Sequence, residues 1–351
     1  MKKIPTIILG GTGYVAGELL RLLLGHPFLK IVGVMSESQA GQKVGSIYPQ
    51  FQGAVEDMCF KTRAESMELM KDGQAALFSA APHGVSAALV ADFIDAAKHA
   101  HCELSVVDVS ADFRYSSAAD FENVYGSPHG SPELLDKFSC AVPEHRPSTT
   151  QPHIGHPGCF ATALLLAAVP LMKLGISEES LFATGITGST GSGRKPSAGT
   201  HHPERQSNLY AYKALTHRHA PEVTGICESI TGVRPELRFV PHSGPFARGI
   251  YITMQARLRE NYNEHEIRQA LKEFYSTSPF VIVRDDVPRI KDVVGSNYCH
   301  IGVAAEHDSM VVFVVIDNLI KGAAGGAIQW MNRKLGLAET SGLLAPALPW
   351  V

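Results

Sequence analysis

Six cysteines are spread along the chain, and only Cys159 sits among residues that would tune it: His156-Pro157-Gly158-Cys159-Phe160-Ala161-Thr162, directly before the apolar run Ala163–Leu171. That run reads as a helix. A cysteine at a helix N-terminus meets the positive end of the dipole, which favours the thiolate, the form that attacks a carbonyl carbon. Cys102, Cys227 and Cys299 adjoin strand or helix patterns, and Cys59 and Cys140 fall in loops, so these five read as inert small residues. Thiolate acyl chemistry also needs a proton shuttle near the sulfur. Of sixteen histidines, His217 and His219 have the richest context, Tyr210-Ala211-Tyr212-Lys213-Ala214-Leu215-Thr216-His217-Arg218-His219-Ala220-Pro221-Glu222. The residues alone give the two equal standing. His201-His202 and His153 with His156 make poor ligand sets, because adjacent histidines do not easily share one ion, and no metal is expected.

A second chemistry is written near the N-terminus. The apolar, β-branched Thr6–Leu9 runs into Gly11-x-Gly13-x-x-Ala16 and then Glu18–Leu24, which reads as strand, tight loop and helix. This is the dinucleotide fingerprint with alanine at its last position. Gly11 is expected to make the turn, Gly13 to let backbone approach a pyrophosphate, and Ala16 to allow close helix packing, with the helix N-terminus facing the anion. Gly10, Thr12, Tyr14 and Val15 complete the expected cofactor contact. The second strand ends at Met35-Ser36-Glu37-Ser38. The Ser36 and Ser38 hydroxyls suit a 2′-phosphate, Glu37 suits a free 2′-hydroxyl, and Lys43 offsets Glu37, so these residues leave NADP against NAD open.

These groups need a scaffold. Further strands are read at Ile31–Met35, Ala75–Phe78 and Ser105–Val109, with a helix over Val85–Ala100, which predicts a parallel sheet covered on both faces. Prolines gather from Gly126 to Pro157 and mark a boundary. Beyond it the segments Phe182–Thr187, Leu237–Pro241, Arg248–Ala256 and Ser309–Val315 predict an antiparallel α+β domain. A helix is expected after a glycine-rich bend at Gly322–Gly326. The expected division is 1–155 with 317–351 as the dinucleotide-binding domain and 156–316 as the catalytic and oligomerisation domain.

With 351 residues, 31 Lys+Arg against 34 Asp+Glu and a net charge of −3, no basic face is offered to nucleic acid. Mean hydropathy is +0.02. Cysteines without CxxC spacing argue against a disulfide scaffold and fit a reducing cytoplasm. Met1-Lys2-Lys3 and the apolar residues after it imitate a secretion signal, but the glycine cluster interrupts them. Ala163–Met172 is too short to span a bilayer.

The chain resembles the N-acetyl-γ-glutamyl-phosphate reductases of arginine biosynthesis, relatives of aspartate-semialdehyde dehydrogenase. The likeness is carried by GGTGYVAGELLRLL at 10–23, APHGVS at 81–86, DVSADFR at 108–114, HPGCFATA at 156–163, GSTGSGR at 188–194, HRHAPE at 217–222, RGI at 248–250, GSN at 295–297 and IDNLIKGAAGGAIQWMN at 316–332. It implies a Rossmann-type dinucleotide-binding domain plus an α+β catalytic and dimerisation domain. It implies attack of Cys159 on an acyl phosphate, departure of inorganic phosphate, and reduction of the thioester by NADPH. His217 then matches the acid/base residue, Arg114 and Arg248 match positions near the substrate's anionic groups, and Asn318 matches a residue near the nicotinamide. Thr190 and Gly191 match a loop against the cofactor, and Ser36 and Ser38 match the stretch facing the 2′-phosphate. A cytoplasmic homo-oligomer, dimer or tetramer, is also implied. Two departures stand out: Gly155-His156 precede and Phe160-Ala161 follow the Pro-Gly-Cys core, and the family's Tyr-Gly-Leu-Pro-Glu motif is split between Tyr125-Gly126-Ser127-Pro128 and Val142-Pro143-Glu144-His145. The second puts the acyl group in question. The alternatives are a reductase for another blocking group or a carrier-linked substrate, and an aspartate-semialdehyde dehydrogenase.

Overall fold

Strand and helix propensities resolve into two compact units in a computed structural model, which describes residues 3–260 and 262–348. Met1-Lys2 and the C-terminal end of the expected 317–351 span lie outside the described residues. The first unit takes the chain up to Cys140, then Ser148–His156 and Ala324–Leu344. Its strands β1 (Ile4–Leu9), β2 (Leu29–Val34), β3 (Gly73–Ser79), β4 (Cys102–Asp108), β5 (Phe138–Cys140) and β6 (His153–Gly155) form one parallel sheet in the order β2-β1-β3-β4-β6-β5. Continuous apolar runs such as Ile7–Leu9 and Ala75–Phe78 are buried, as a sheet covered on both faces requires. Helices Tyr14–Leu24, Ser86–His99 and Gly325–Lys334 belong to this unit. The fold is Rossmann-like.

The second unit comprises Ala141–Pro147, Pro157–Ala323 and the chain from Ala345 onward. Strands β7 (Ser177–Thr187), β8 (Tyr210–Ala211), β9 (Glu236–Ser243), β10 (Ile250–Leu258), β11 (Val281–Val283), β12 (Cys299–Glu306) and β13 (Ser309–Ile316) pair in the order β11-β12-β13-β10-β7-β9-β8. The sheet is mixed, not antiparallel: β7 runs parallel to β9 and β11 to β12. Helices Cys159–Leu174, His219–Thr231 and Glu264–Phe274 pack on it. Along β10, Ile250, Ile252, Met254, Ala256 and Leu258 are buried while Gln255 and Arg257 are exposed, the period of two that a half-covered strand shows. On the opposite side of β7 from its buried residues, Phe182 is 56% exposed.

The expected bend at Gly322–Gly326 is absent. Ile320–Ala324 forms a π-helical turn that continues into Gly325–Lys334, because small residues let the chain pack closely without leaving the helix. The units also divide differently from the expected spans: Ala141–Pro147, Asp317–Ala323 and the chain from Ala345 go with the second, and His156 with the first. Among the described residues no helix is long and apolar enough to cross a membrane.

Candidate active site

In the first unit, β1 leads into a loop whose glycines divide the labour differently from the expectation. Gly10 carries the positive φ, +71°, and makes the turn, whereas Gly11 is needed for close approach: a Cβ there would stand 2.5 Å from Val34 Cγ1. Gly13 is different again. A Cβ on it would meet only Gly10 O, at 3.9 Å, so the space it would fill is open to a ligand. Gly13 is the N-cap of Tyr14–Leu24, with no side-chain cap and no acidic residue in the first turn. Ala16 is buried, as close helix packing demands. Tyr48, which the sequence reading missed, donates from its hydroxyl to Gly13 O at 2.6 Å, with Gly11 O at 3.0 Å, and its ring lies against Gly17. This loop fits a dinucleotide pyrophosphate: backbone and dipole are presented, and among the described residues no side chain stands within 4 Å of the Gly13 Cβ position.

At the end of β2, Ser36 Oγ and Ser38 Oγ lie 3.4 Å apart. The Glu37 carboxylate accepts the Arg63 N–H at 2.6 Å, at the start of the short helix Arg63–Met67. The residue that would repel a 2′-phosphate is thus engaged elsewhere.

The loops after β3 and β4 hold one another. Asp112 accepts from Gly84 N–H at 2.8 Å and Ala87 N–H at 2.9 Å, capping the Ser86–His99 helix. Buried Asp108 accepts from the Ser86 and Ser110 hydroxyls at 2.6 and 2.7 Å, and burial raises its pKa to about 6. Arg114 is buried, and donates from Nε to His156 O and from Nη2 to Val109 O, both at 3.0 Å. His156 is buried too, with its own N–H on Asp108 O at 2.7 Å.

In the second unit Cys159 opens its helix directly after the N-cap Gly158. Gly158 N–H donates to the buried carboxylate of Glu222 at 2.7 Å, which ties the cysteine turn to the His219–Thr231 helix. Phe160 fits because a Cβ at Gly185 of β7 would lie 2.5 Å from its ring. The buried His217 packs edge-on to Phe160, with centroids 5.7 Å apart, and to Tyr212 at 5.7 Å. Burial and then the field of Cys159 push the Tyr212 hydroxyl pKa upward. His217 Nδ1 accepts the His219 N–H at 3.2 Å, which leaves the ring proton on Nε2. Burial, with the charges of Arg218 and Lys213, lowers the His217 pKa to about 4, so the ring is neutral near pH 7.

Thr190, Asn318 and Arg248 come together in this unit. Asn318 accepts Gly249 N–H at 2.8 Å and donates to Thr190 Oγ1 at 3.0 Å, and Thr190 donates to Ala247 O at 2.6 Å. Gly191 continues the same short helical turn, Ser189–Ser192. Arg248 makes a two-point pair with buried Asp317, Nε to Oδ2 and Nη2 to Oδ1, each at 3.1 Å. Asp317 also accepts from the N–H groups of Gly295, Leu319 and Ile320. Glu222, Tyr212 and Asp317 are structural partners that the sequence reading passed over. The HAPE and IDN blocks contained two of them, but nothing in spacing separated them from ordinary helix and strand ends.

Family comparison matches the description "Semialdehyde dehydrogenase, NAD binding domain" to residues 6–148 and "Semialdehyde dehydrogenase, dimerisation domain" to residues 159–318. The N-acetyl-γ-glutamyl-phosphate reductase of Bacillus mycoides is 38% identical over 343 residues, 96% of this chain and 97% of that one. That of Pseudomonas aeruginosa strain UCBPP-PA14 is 38% identical over 350 residues, 97% and 98% of the two chains. The chain belongs to the N-acetyl-γ-glutamyl-phosphate reductase family. The N-acetyl-γ-glutamyl-phosphate reductase of Methanocaldococcus jannaschii is 35% identical over 344 residues, 96% of each chain. Among solved structures, aspartate semialdehyde dehydrogenase II complexed with ASA from Vibrio cholerae superposes with a TM-score of 0.68 at 16% identity, covering 96% of this chain and 99% of that chain. Aspartate semialdehyde dehydrogenase with NADP from Candida albicans gives a TM-score of 0.68 at 17%, over 95% and 99%. The fold is that of the semialdehyde dehydrogenases, and the protein is an oxidoreductase of this group.

Proposed function

We propose that the protein reduces N-acetyl-γ-glutamyl phosphate to N-acetyl-glutamate 5-semialdehyde with NADPH, in arginine biosynthesis. The observation that carries this reading is Cys159 at the first turn of a buried helix whose next residue, Phe160, packs on a histidine held neutral with its proton on Nε2. The helix dipole favours the Cys159 thiolate, which attacks the acyl carbon; the C–O bond to phosphate breaks, phosphate leaves with the electron pair, and a thioester remains. When bound, NADPH supplies a hydride. His217 Nε2–H donates a hydrogen bond to the oxyanion formed at the acyl carbon, a role for a neutral imidazole and not for an imidazolium acid. The C–S bond then breaks, releasing aldehyde and thiolate.

Gly10, Gly11, Thr12, Gly13, Tyr14 and Val15 would hold the pyrophosphate. Ser36 and Ser38 would face the 2′-phosphate, a preference supported by the capture of Glu37 on Arg63 N–H. Arg114 and Arg248 are our candidates for the substrate's anionic groups, Arg114 oriented by two backbone carbonyls and Arg248 by Asp317. Asn318, Thr190 and Gly191 shape the loop assigned to the nicotinamide side. A homo-oligomer built on the open face of the second sheet, where Phe182 is exposed, and a cytoplasmic location complete the reading.

The test follows NADP reduction in reverse, with N-acetyl-glutamate semialdehyde and phosphate, and aspartate semialdehyde in parallel. Turnover with the first, lost on omitting phosphate, is expected. Turnover with aspartate semialdehyde alone would replace the substrate assignment, and turnover with neither would turn the reading toward another blocking group or a carrier-linked substrate.

A further inference from the structure

Beside Cys159, the chain makes the π-helical turn Ile320–Ala324. Gly322 N–H donates to Asp317 O at 3.0 Å, five residues back, and a Cβ on Gly322 would stand 2.8 Å from Cys159 Cβ and 3.1 Å from its Cα. The turn therefore lies against the backbone of the cysteine itself. Such widened turns recur at functional sites, where they place a residue that a regular helix would not.

Two neighbouring residues of the Ala141–Pro147 segment reach both sides of this contact. Glu144 pairs with Lys321 of the π turn, and both side chains are wholly buried, with the Phe280 ring 5.7 Å from Lys321 Nζ. His145 Nε2 donates to Tyr275 Oη at 2.9 Å, and the Tyr275 hydroxyl donates to Leu166 O at 2.7 Å. Leu166 lies in the helix that Cys159 begins, and its carbonyl would ordinarily accept from residue 170, which is Pro170 and has no N–H. The tyrosine supplies the missing donor. Burial, with Cys299 and Glu144 nearby, pushes the Tyr275 hydroxyl pKa well above its usual range, and burial lowers the His145 pKa to about 3, so both donors persist across physiological pH.

We propose that the Glu144-His145 segment is a two-armed clamp: through Lys321 it fixes the π turn, and through Tyr275 it fixes the Cys159 helix, so that Glu144, Lys321 and Tyr275 are positioning residues for the nucleophile. The second half of the split Tyr-Gly-Leu-Pro-Glu motif then serves the thiol and does not recognise the acyl group. This rests on Cys159 being the nucleophile.

Removing one member of a buried ion pair leaves an uncompensated charge, so the test removes both: Lys321→Met with Glu144→Gln, alongside Tyr275→Phe and Gly322→Ala. Each variant is assayed for kcat and KM, for melting temperature, and for iodoacetamide labelling of Cys159 against pH, located by peptide mass. The clamp predicts a kcat at least tenfold lower in the double variant, dinucleotide KM within twofold of wild type, and a labelling midpoint moved by half a pH unit or more. Tyr275→Phe should move both in the same direction by less. If the double variant does not fold, Gly322→Ala and Tyr275→Phe decide by the same readouts. Folded variants with wild-type kcat and labelling profile overturn the clamp, as does a lower melting temperature with neither readout changed. Turnover retained in Cys159→Ser would instead overturn the nucleophile assignment.

Discussion

The dinucleotide loop is one run of chain, Gly10–Gly13, between β1 and its helix, whereas the surroundings of Cys159 are gathered from Gly158, Tyr212, Glu222 and Gly322, with Asp317 and Asn318 tying Gly295 and Gly249 to the segment before Gly322. The first is a local structure: one turn, one close approach and one open position do its work. The second is a tertiary structure, in which Glu222, Asp317 and Asn318 hold backbone groups from distant segments. A local device fails one residue at a time, while a gathered one transmits damage among its parts.

The largest separation of the two regions is expected at His217. Changing His217 to Ala, which removes the Nε2–H donor, should lower kcat by roughly 10²–10³-fold with dinucleotide affinity unchanged. His219→Asn, which keeps the backbone N–H that His217 Nδ1 uses, should lower it by less than about tenfold. Steady-state kinetics of the pair checks this, and equal losses would dissolve the distinction between the two rings.

Acid should also divide the regions. His217 and His145 of the second unit have pKa values lowered from 6.5 to about 4 and about 3. Below pH 6.5 the unfolded chain binds protons that the folded ring refuses, so each contributes stability that is present above 6.5 and is lost as pH falls toward those values. The loss is about 3 kcal/mol for His217 and about 5 kcal/mol for His145. In the first unit His153, lowered to about 4, acts in the same sense, but Asp108, raised to about 6, acts oppositely: folded Asp108 binds a proton before the unfolded chain does, so acidification between 6 and the ordinary carboxylate range favours the fold. Hydrogen exchange read by peptide should show protection in 157–323 failing at a higher pH than in 4–108. The reverse order would remove the contrast.

Within the glycine loop the expected effects are smaller and position-specific. Gly13→Ala should weaken dinucleotide binding about tenfold with the melting temperature kept within about 2 °C, since its Cβ enters ligand space. Gly10→Ala and Gly11→Ala should instead lower the melting temperature, because their Cβ atoms would strike Ala80 O at 2.4 Å and Val34 Cγ1 at 2.5 Å. Calorimetry and titration distinguish the two patterns. The smallest effect is expected at Arg63→Pro, a residue type tolerated at the first helical position, which removes the N–H holding Glu37. The NADP-to-NAD preference should fall about threefold as Glu37 is released toward the ribose; an unchanged ratio would mean that Glu37 has no part in the choice.

The same contrast explains what could be read in the sequence. Strand, glycine spacing and helix are short-range patterns, so the parallel sheet and the cofactor loop were legible, although spacing could not tell which glycine needed the positive φ. It is Gly10, because the turn begins one residue earlier than the fingerprint suggests. The cysteine was legible because its helix follows it directly. Its partners were not: Glu222, Asp317 and Tyr275 reach backbone groups across tens or more of residues, and no local pattern encodes such a bond. His217 was chosen over His219 only through family likeness, and the structure supplies the physical difference, an Nδ1 occupied by a backbone N–H. The glycines after Gly322 were misread as a bend, since glycine marks both a turn and a close helix contact.

The central claim is that Cys159 carries the acyl group. Protein mixed with N-acetyl-γ-glutamyl phosphate in the absence of NADPH, quenched in acid and read by intact and peptide mass, should gain one N-acetylglutamyl group on the peptide containing Cys159 and lose it on hydroxylamine treatment. Phosphate release without an adduct on that peptide, or an adduct on another cysteine, would contradict the account.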